Sequence, residues 1–179
     1  MSRLSPINED SDTEAGKLLA ETRRQLGRVP NLYRVLANSP VALKGYLQFR
    51  ESLQSGRLSS KLREQIALIT AEVNRCEYCV SAHAFRGSKI GISDTELELN
   101  RRGDSSDARV AATLALAADV ARSRGAVTDQ AFGAARAAGL DDEELAEVIA
   151  HVALNFYSNI LNHFAQPELD FPRTVLLND

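Results

Sequence analysis

The sequence predicts an all-α fold, and three observations carry that expectation. Ala and Leu are its commonest residues, and both favour helix. The β-branched and aromatic runs that announce strands are almost absent. Apolar residues recur at helical spacing between capping residues and glycines. Thr13 to Leu26 reads as a first helix carrying Leu18, Leu19 and Leu26, with Gly27 placed to end it. A turn follows. Ser39-Pro40 then sets a capping hydroxyl before a proline at the first helical position, and the helix beyond presents Leu43, Leu47 and Leu53 before Gly56. From Ser59 or Ser60, Leu62, Ile66, Ile69 and Val73 fall at i, i+4, i+7 and i+11, which forms one stripe. Asn74 and Arg75 look like a break, and a further helical segment runs from about Cys76 to Ile90. After Gly91, the spacing Ser93-x-x-Glu96 opens a short helix. An Ala-rich helix from about Ser106 to Arg124 ends at Gly125, and another runs from Thr128 to Ala138 before Gly139. The last helix begins with Asp141 to Glu144, whose charge suits a helix N-terminus. It carries Leu145, Val148, Ile149, Val152 and Phe156 on one face.

The chain reads as one domain over 1–179, with a motif region at 59–90 and an extended, Pro-containing tail at 166–179. Gly56-Arg-Leu-Ser59 parallels Gly125-Ala-Val-Thr128, which suggests two related helical halves sharing one core. At 179 residues folding buries about 70% of the unfolded surface, enough core to stand without a disulfide scaffold or a structural metal. The 21 basic and 24 acidic residues leave a formal charge of −3, so no global cationic field attracts a phosphate backbone. Nucleic acid and membrane partners are therefore not expected. The opening MSRLSPINEDSDTEAG lacks an apolar h-region, and no apolar run approaches the roughly 18 residues of a membrane span. A cytoplasmic location is expected, in keeping with only two cysteines.

The chemistry concentrates in Cys76-Glu77-Tyr78-Cys79-Val80-Ser81-Ala82-His83. In a helix, Cys76, Cys79 and His83 stand at i, i+3 and i+7, so two thiols and an imidazole share one face. A thiol is a nucleophile as its thiolate, and a helix N-terminus plus a nearby imidazole lower its pKa. Once one cysteine is oxidised to a sulfenic acid, a partner at C-x-x-C spacing condenses with it to a disulfide. Three plainer readings stand beside this one. Zinc normally takes four protein ligands, and only Cys76, Cys79 and His83 cluster here. A buried, unreactive cysteine pair is a second, and a thioredoxin-type motif is a third, although that asks for strands this sequence lacks.

The pattern of Glu64 followed by Cys76-x-x-Cys79-x-x-x-His83 resembles the alkylhydroperoxidase D-like branch of the carboxymuconolactone decarboxylase superfamily. Two further stretches resemble its peroxidase-related members: Gly27-Arg-Val-Pro-Asn-Leu-Tyr-Arg-Val-Leu-Ala-Asn-Ser-Pro40 and Arg63-Glu64-Gln-Ile-Ala-Leu68. The resemblance covers roughly residues 25–90 strongly and the second half more loosely. It implies an all-helical homo-oligomer that reduces hydrogen peroxide or organic hydroperoxides without haem, flavin or metal. On that carry-over Cys79 attacks the peroxide, Cys76 resolves it as a disulfide, Glu64 is the base of a proton relay and His83 its intermediate. An external dithiol, a lipoyl-bearing or thioredoxin-like protein, would recycle the pair.

Physical reading favours His83 as the activator of Cys79, one turn away, while the macrodipole favours the more N-terminal Cys76. Glu64 taken alone reads as a solvated residue suited to the first turns of a helix. Tyr78 occupies the position where the best-known peroxidases of the family carry a second histidine, and a phenol relays protons poorly near neutrality. His151 and His163 lie on the final helix with Asn155, Asn159 and Asn162, forming a polar stripe or being satisfied by helix-end carbonyls. Arg101-Arg102 and Asp141 to Glu144 read as solvated surface. Two other functions fit the same fold: lactone-acid decarboxylation, whose enzymes lack the cysteine pair, and a redox sensor or structural oligomer without turnover.

Overall fold

The computed structural model describes residues 2–178, which form helices α1 (Glu14–Leu26), α2 (Asn31–Leu36), α3 (Pro40–Gln54), α4 (Ser60–Val73), α5 (Glu77–Lys89), α6 (Asp94–Arg101), α7 (Ala108–Ser123), α8 (Asp129–Ala137) and α9 (Asp142–Ala165). Among the described residues there is no strand, so the fold is all-α as the sequence predicts. The caps explain most boundaries. Thr13, Ser59, Ser93 and Thr128 each accept a backbone N–H from the first turn of the helix that follows, and Asp107 accepts two. Only α2 is new. The sequence reading placed a turn there, because six residues are too few to show a period. Burial of Leu32, Tyr33, Val35 and Leu36 holds the helix instead.

The chain divides into two compact units. The first comprises the residues up to Ser52 together with Ile160–Asp170, and its core includes Leu19, Tyr33, Val35 and Leu43. Asp170 ties it internally, pairing with Arg28 at 2.6 Å and accepting the Asn31 backbone N–H at 3.1 Å.

The second unit comprises Leu53–Asn159 and the tail from Phe171 onward. Its core joins Leu62, Ile66 and Ile69 of α4 to Leu114, Ala117 and Ala121 of α7 and Val148 and Val152 of α9. The sequence predicts a single buried stripe on α4, yet every residue from Gln65 to Glu72 is buried, because α5, α6 and α7 all pack against this one helix. Helix α9 runs parallel to α4. Near its start the Glu147 carboxylate accepts the backbone N–H groups of Arg57 and Leu58 at 2.8 and 3.0 Å. A Cβ at Gly56 would sit 2.6 Å from that carboxylate, so a glycine there lets the Glu147 side chain approach the turn without shifting.

Two expectations for α9 change. Ile149 is 54% exposed, while Leu145, Val148 and Val152 are buried; one residue on from Val148, it is turned about 100° away. Glu144 is not solvated. It is buried and paired with Arg109 at 2.7 Å, whose guanidinium holds its carboxyl below the ordinary range. Among the described residues no helix is long and apolar enough to cross a membrane.

Candidate active site

Helix α4 ends in a tight connection. The Asn74, Arg75 and Cys76 N–H groups bond the carbonyls of Thr70, Glu72 and Ala71, with Arg75 in the left-handed region at φ 57°. The break expected at Asn74-Arg75 is therefore a two-residue hinge that starts α5 at once. Cys76 is the N-cap of α5, and its sulfur accepts the Cys79 N–H at 3.3 Å. The two cysteines are joined in a disulfide with their Cα atoms 5.2 Å apart, and they are only 2% and 3% exposed. Both sulfurs thus sit in the first turn of a helix, where the macrodipole favours negative charge.

His83 lies one turn beyond Cys79 on the same helix. Its Nδ1 meets Glu64 Oε2 of α4 at 2.7 Å. Glu64 is half-buried and His83 buried, so the solvated reading of Glu64 does not hold. With the carboxylate ionised, Nδ1 carries the hydrogen and Nε2 is left as the basic nitrogen. The structure therefore brings Glu64 to His83, and stacks His83 one turn below Cys79. Among the described residues no group of three or more His, Cys, Asp or Glu side chains is disposed to hold a metal ion.

The tail passes over this helix. Phe171 meets Tyr78 edge-on at 5.7 Å and Phe85 at 6.0 Å, so Tyr78 packs. Arg173 pairs with Glu77 at 2.7 Å, and the Thr174 N–H donates to Ser81 Oγ at 2.9 Å. Arg101 anchors the same segment, contrary to its reading as solvated surface; only Arg102 is exposed. Arg101 is 9% exposed, its Nε 2.9 Å from Glu72, and it also donates to the Val175 carbonyl. The other Glu72 oxygen accepts the Leu177 N–H at 2.6 Å. No local pattern could have announced this, because the pair is buried by α4, α6 and a tail that join only in the fold. Arg101→Met should cost about 3 kcal/mol in urea unfolding, since it leaves Glu72 buried without its cation, and should expose the tail to protease.

His151 sits in the middle of α9 and not near its end as expected. It is 5% exposed, and its Nε2 has no hydrogen-bond partner. Burial, aided by the Arg63 charge and opposed by Glu147 and Glu64, lowers its pKa from 6.5 to about 4. The folded chain therefore refuses a proton that the unfolded chain accepts, and stability should fall as pH drops from about 6.5 to about 4. Unfolding midpoints measured across that window should lose this part of their slope in His151→Leu. Asn155 and Asn159 are buried on the same helix, whereas His163 is exposed.

A family model described as the carboxymuconolactone decarboxylase family matches residues 40–123, which include Glu64, both cysteines and His83. An alkylhydroperoxidase AhpD core, a peroxidase-related protein from Ralstonia eutropha JMP134, superposes with a TM-score of 0.84 over 94% of this chain and 92% of its own, at 23% identity. The chain has the alkylhydroperoxidase D-like fold. A peroxidase-related protein from Silicibacter sp. TM1040 has the same alkylhydroperoxidase D-like fold, with a TM-score of 0.79, 20% identity and coverage of 96% and 97%. So does the debrominase Bmp8, solved as a cysteine-to-alanine variant with 2,3,4-tribromopyrrole, with a TM-score of 0.82, 15% identity and coverage of 95% and 92%. No curated protein sequence matches this chain significantly.

Proposed function

We propose that this chain is a two-cysteine peroxidase that reduces hydrogen peroxide or organic hydroperoxides. The observation that carries the reading is the 2.7 Å contact between Glu64 and His83, one turn from a cysteine pair at a helix N-terminus. Cys79 is the attacking sulfur. His83 Nε2 takes its proton, and Glu64 stabilises the imidazolium that forms. The Cys79 thiolate attacks the terminal oxygen of ROOH: an S–O bond forms, the O–O bond breaks, and RO⁻ takes the proton back from His83 and leaves as ROH. Sulfur loses two electrons and the peroxide gains them.

Cys76 then attacks the Cys79 sulfenic acid, releasing water and closing the disulfide. Its N-cap position suits that role, because the Cys79 N–H bonded to its sulfur and the helix dipole both favour thiolate. The competition between imidazole and macrodipole is thereby divided: His83 activates Cys79, and the helix terminus keeps Cys76 ready. An external dithiol, on a lipoyl-bearing or thioredoxin-like protein of the cytoplasm, restores both thiols, and the working form is a homo-oligomer.

A second reading, a redox sensor without turnover, is favoured by the bonds from the tail to Glu77 and Ser81 beside the cysteines. Consumption of cumene hydroperoxide by prereduced, metal-free protein with excess dithiothreitol separates the two. Turnover is expected, and Cys76→Ser mixed with the peroxide in the absence of dithiothreitol should stop at a single sulfenate on Cys79. Inertness toward several peroxides and dithiols would overturn the peroxidase reading and favour the sensor.

A further inference from the structure

Within the unit that holds the cysteines, helix α9 carries buried polar residues. On it, Asn155 donates to the His151 carbonyl at 2.7 Å, and Asn159, 1% exposed, accepts from Asn74 Nδ2 through its Oδ1 at 2.8 Å. One end of the Asn159 carboxamide is thus held. The other, Nδ2, is buried and has no hydrogen-bond partner. A buried amide donor left unpaired costs about 1–3 kcal/mol, so a polar occupant is expected beside it. Its chemistry follows from the atom: an NH2 group donates only, and calls for an oxygen acceptor.

Its location says which. Asn74 is the C-cap of α4, two residues before Cys76, and the Asn74-Arg75 hinge fastens it to the same turn that sets the first sulfur. The parallel course of α9 along α4 places Asn159 at that end of the helix pair, away from the end where Glu147 holds Arg57 and Leu58.

We propose that Asn159, oriented by Asn74, binds the hydroperoxide by donating from Nδ2 to the oxygen that departs as RO⁻. This rests on the peroxidase reading. Asn159 touches substrate on this view, and Asn74 is a positioning residue. As the Cys79 thiolate takes the terminal oxygen and the O–O bond breaks, negative charge builds on the second oxygen. A fixed donor in a dry site stabilises it there before the proton arrives from His83.

The test is the rate of sulfenate formation in prereduced protein mixed with cumene hydroperoxide, followed before the disulfide closes. Asn159→Leu should slow that step about a hundredfold, the effect typical of losing one oxyanion donor, and leave reduction of the disulfide by dithiothreitol unchanged. Asn74→Asp should slow it similarly without changing size, because a carboxylate would draw Nδ2 to itself and turn the carbonyl outward. Unchanged sulfenate rates in both variants would overturn the proposal, as would an equal slowing of disulfide reduction.

A second measurement needs no turnover and no folded Asn159 variant. In unreactive Cys76→Ser/Cys79→Ser protein, the Asn159 side-chain NH2 resonances should shift saturably as tert-butyl hydroperoxide is added. No shift would overturn the proposal. A shift in a chain whose wild type never turns over would support oxygen binding at Asn159 while the peroxidase reading itself failed.

Discussion

Cys79→Ser should abolish catalytic hydroperoxide consumption and, with it, rapid sulfenate formation on the protein. The attacking atom must be a thiolate within reach of a base, and Cys79 alone has His83 one turn away on its own helix. A serine hydroxyl is far too weak an acid to serve, and loss of a nucleophile of this kind removes several orders of magnitude in rate. The remaining Cys76 is a thiol at the N-cap, favoured as thiolate but without that base, so it should react with peroxide only at the slow rate of an ordinary low-pKa thiol. A dimedone-type probe and mass spectrometry read the outcome. Sulfenate trapped on Cys76 in this variant at the wild-type rate would reverse the two roles.

Glu64→Gln should lower the rate of sulfenate formation near neutral pH by about a hundredfold or more, the usual worth of a general-base relay. Glutamine keeps an oxygen to accept the Nδ1 hydrogen across the same 2.7 Å, so His83 stays in place and the imidazole keeps its tautomer. What disappears is the negative charge that makes the imidazolium favourable when His83 takes the Cys79 proton. The sign with pH follows. In the wild type the relay supplies thiolate at neutrality, whereas the variant must wait for Cys79 to ionise unaided, near the roughly 8.5 of a free thiol. The variant rate should therefore rise toward wild type as pH increases through that region. A purely structural role for Glu64 would instead depress the rate equally at every pH, and that profile would remove Glu64 from the relay.

Much of this molecule is written in short stretches of sequence. The caps at Thr13, Ser59, Ser93 and Thr128, the hinge at Asn74-Arg75 and the helical spacing of Cys76, Cys79 and His83 are legible there because each depends on residues within a turn or two. Periodicity reaches the same distance, and among the described residues it placed every helix but α2, which escaped because six residues hold less than two turns and burial maintains them. Glu64 gained its role in the sequence reading only from a family resemblance, since nothing local separates a relay carboxylate from a solvated one.

The rest was decided by packing. Glu64 reaches His83 because α4 and α5 lie side by side, and Arg101 loses its solvent because Glu72 and the tail backbone close around it. His151 is buried in the middle of α9 by the same packing that exposes Ile149 next to Val148. Local sequence therefore determined the helices long enough to show a period, and where two sulfurs and an imidazole share a face. Tertiary structure alone determined which charges are desolvated and which polar atoms lose their water, because solvent exclusion is a property of neighbouring elements and is written in no single one of them.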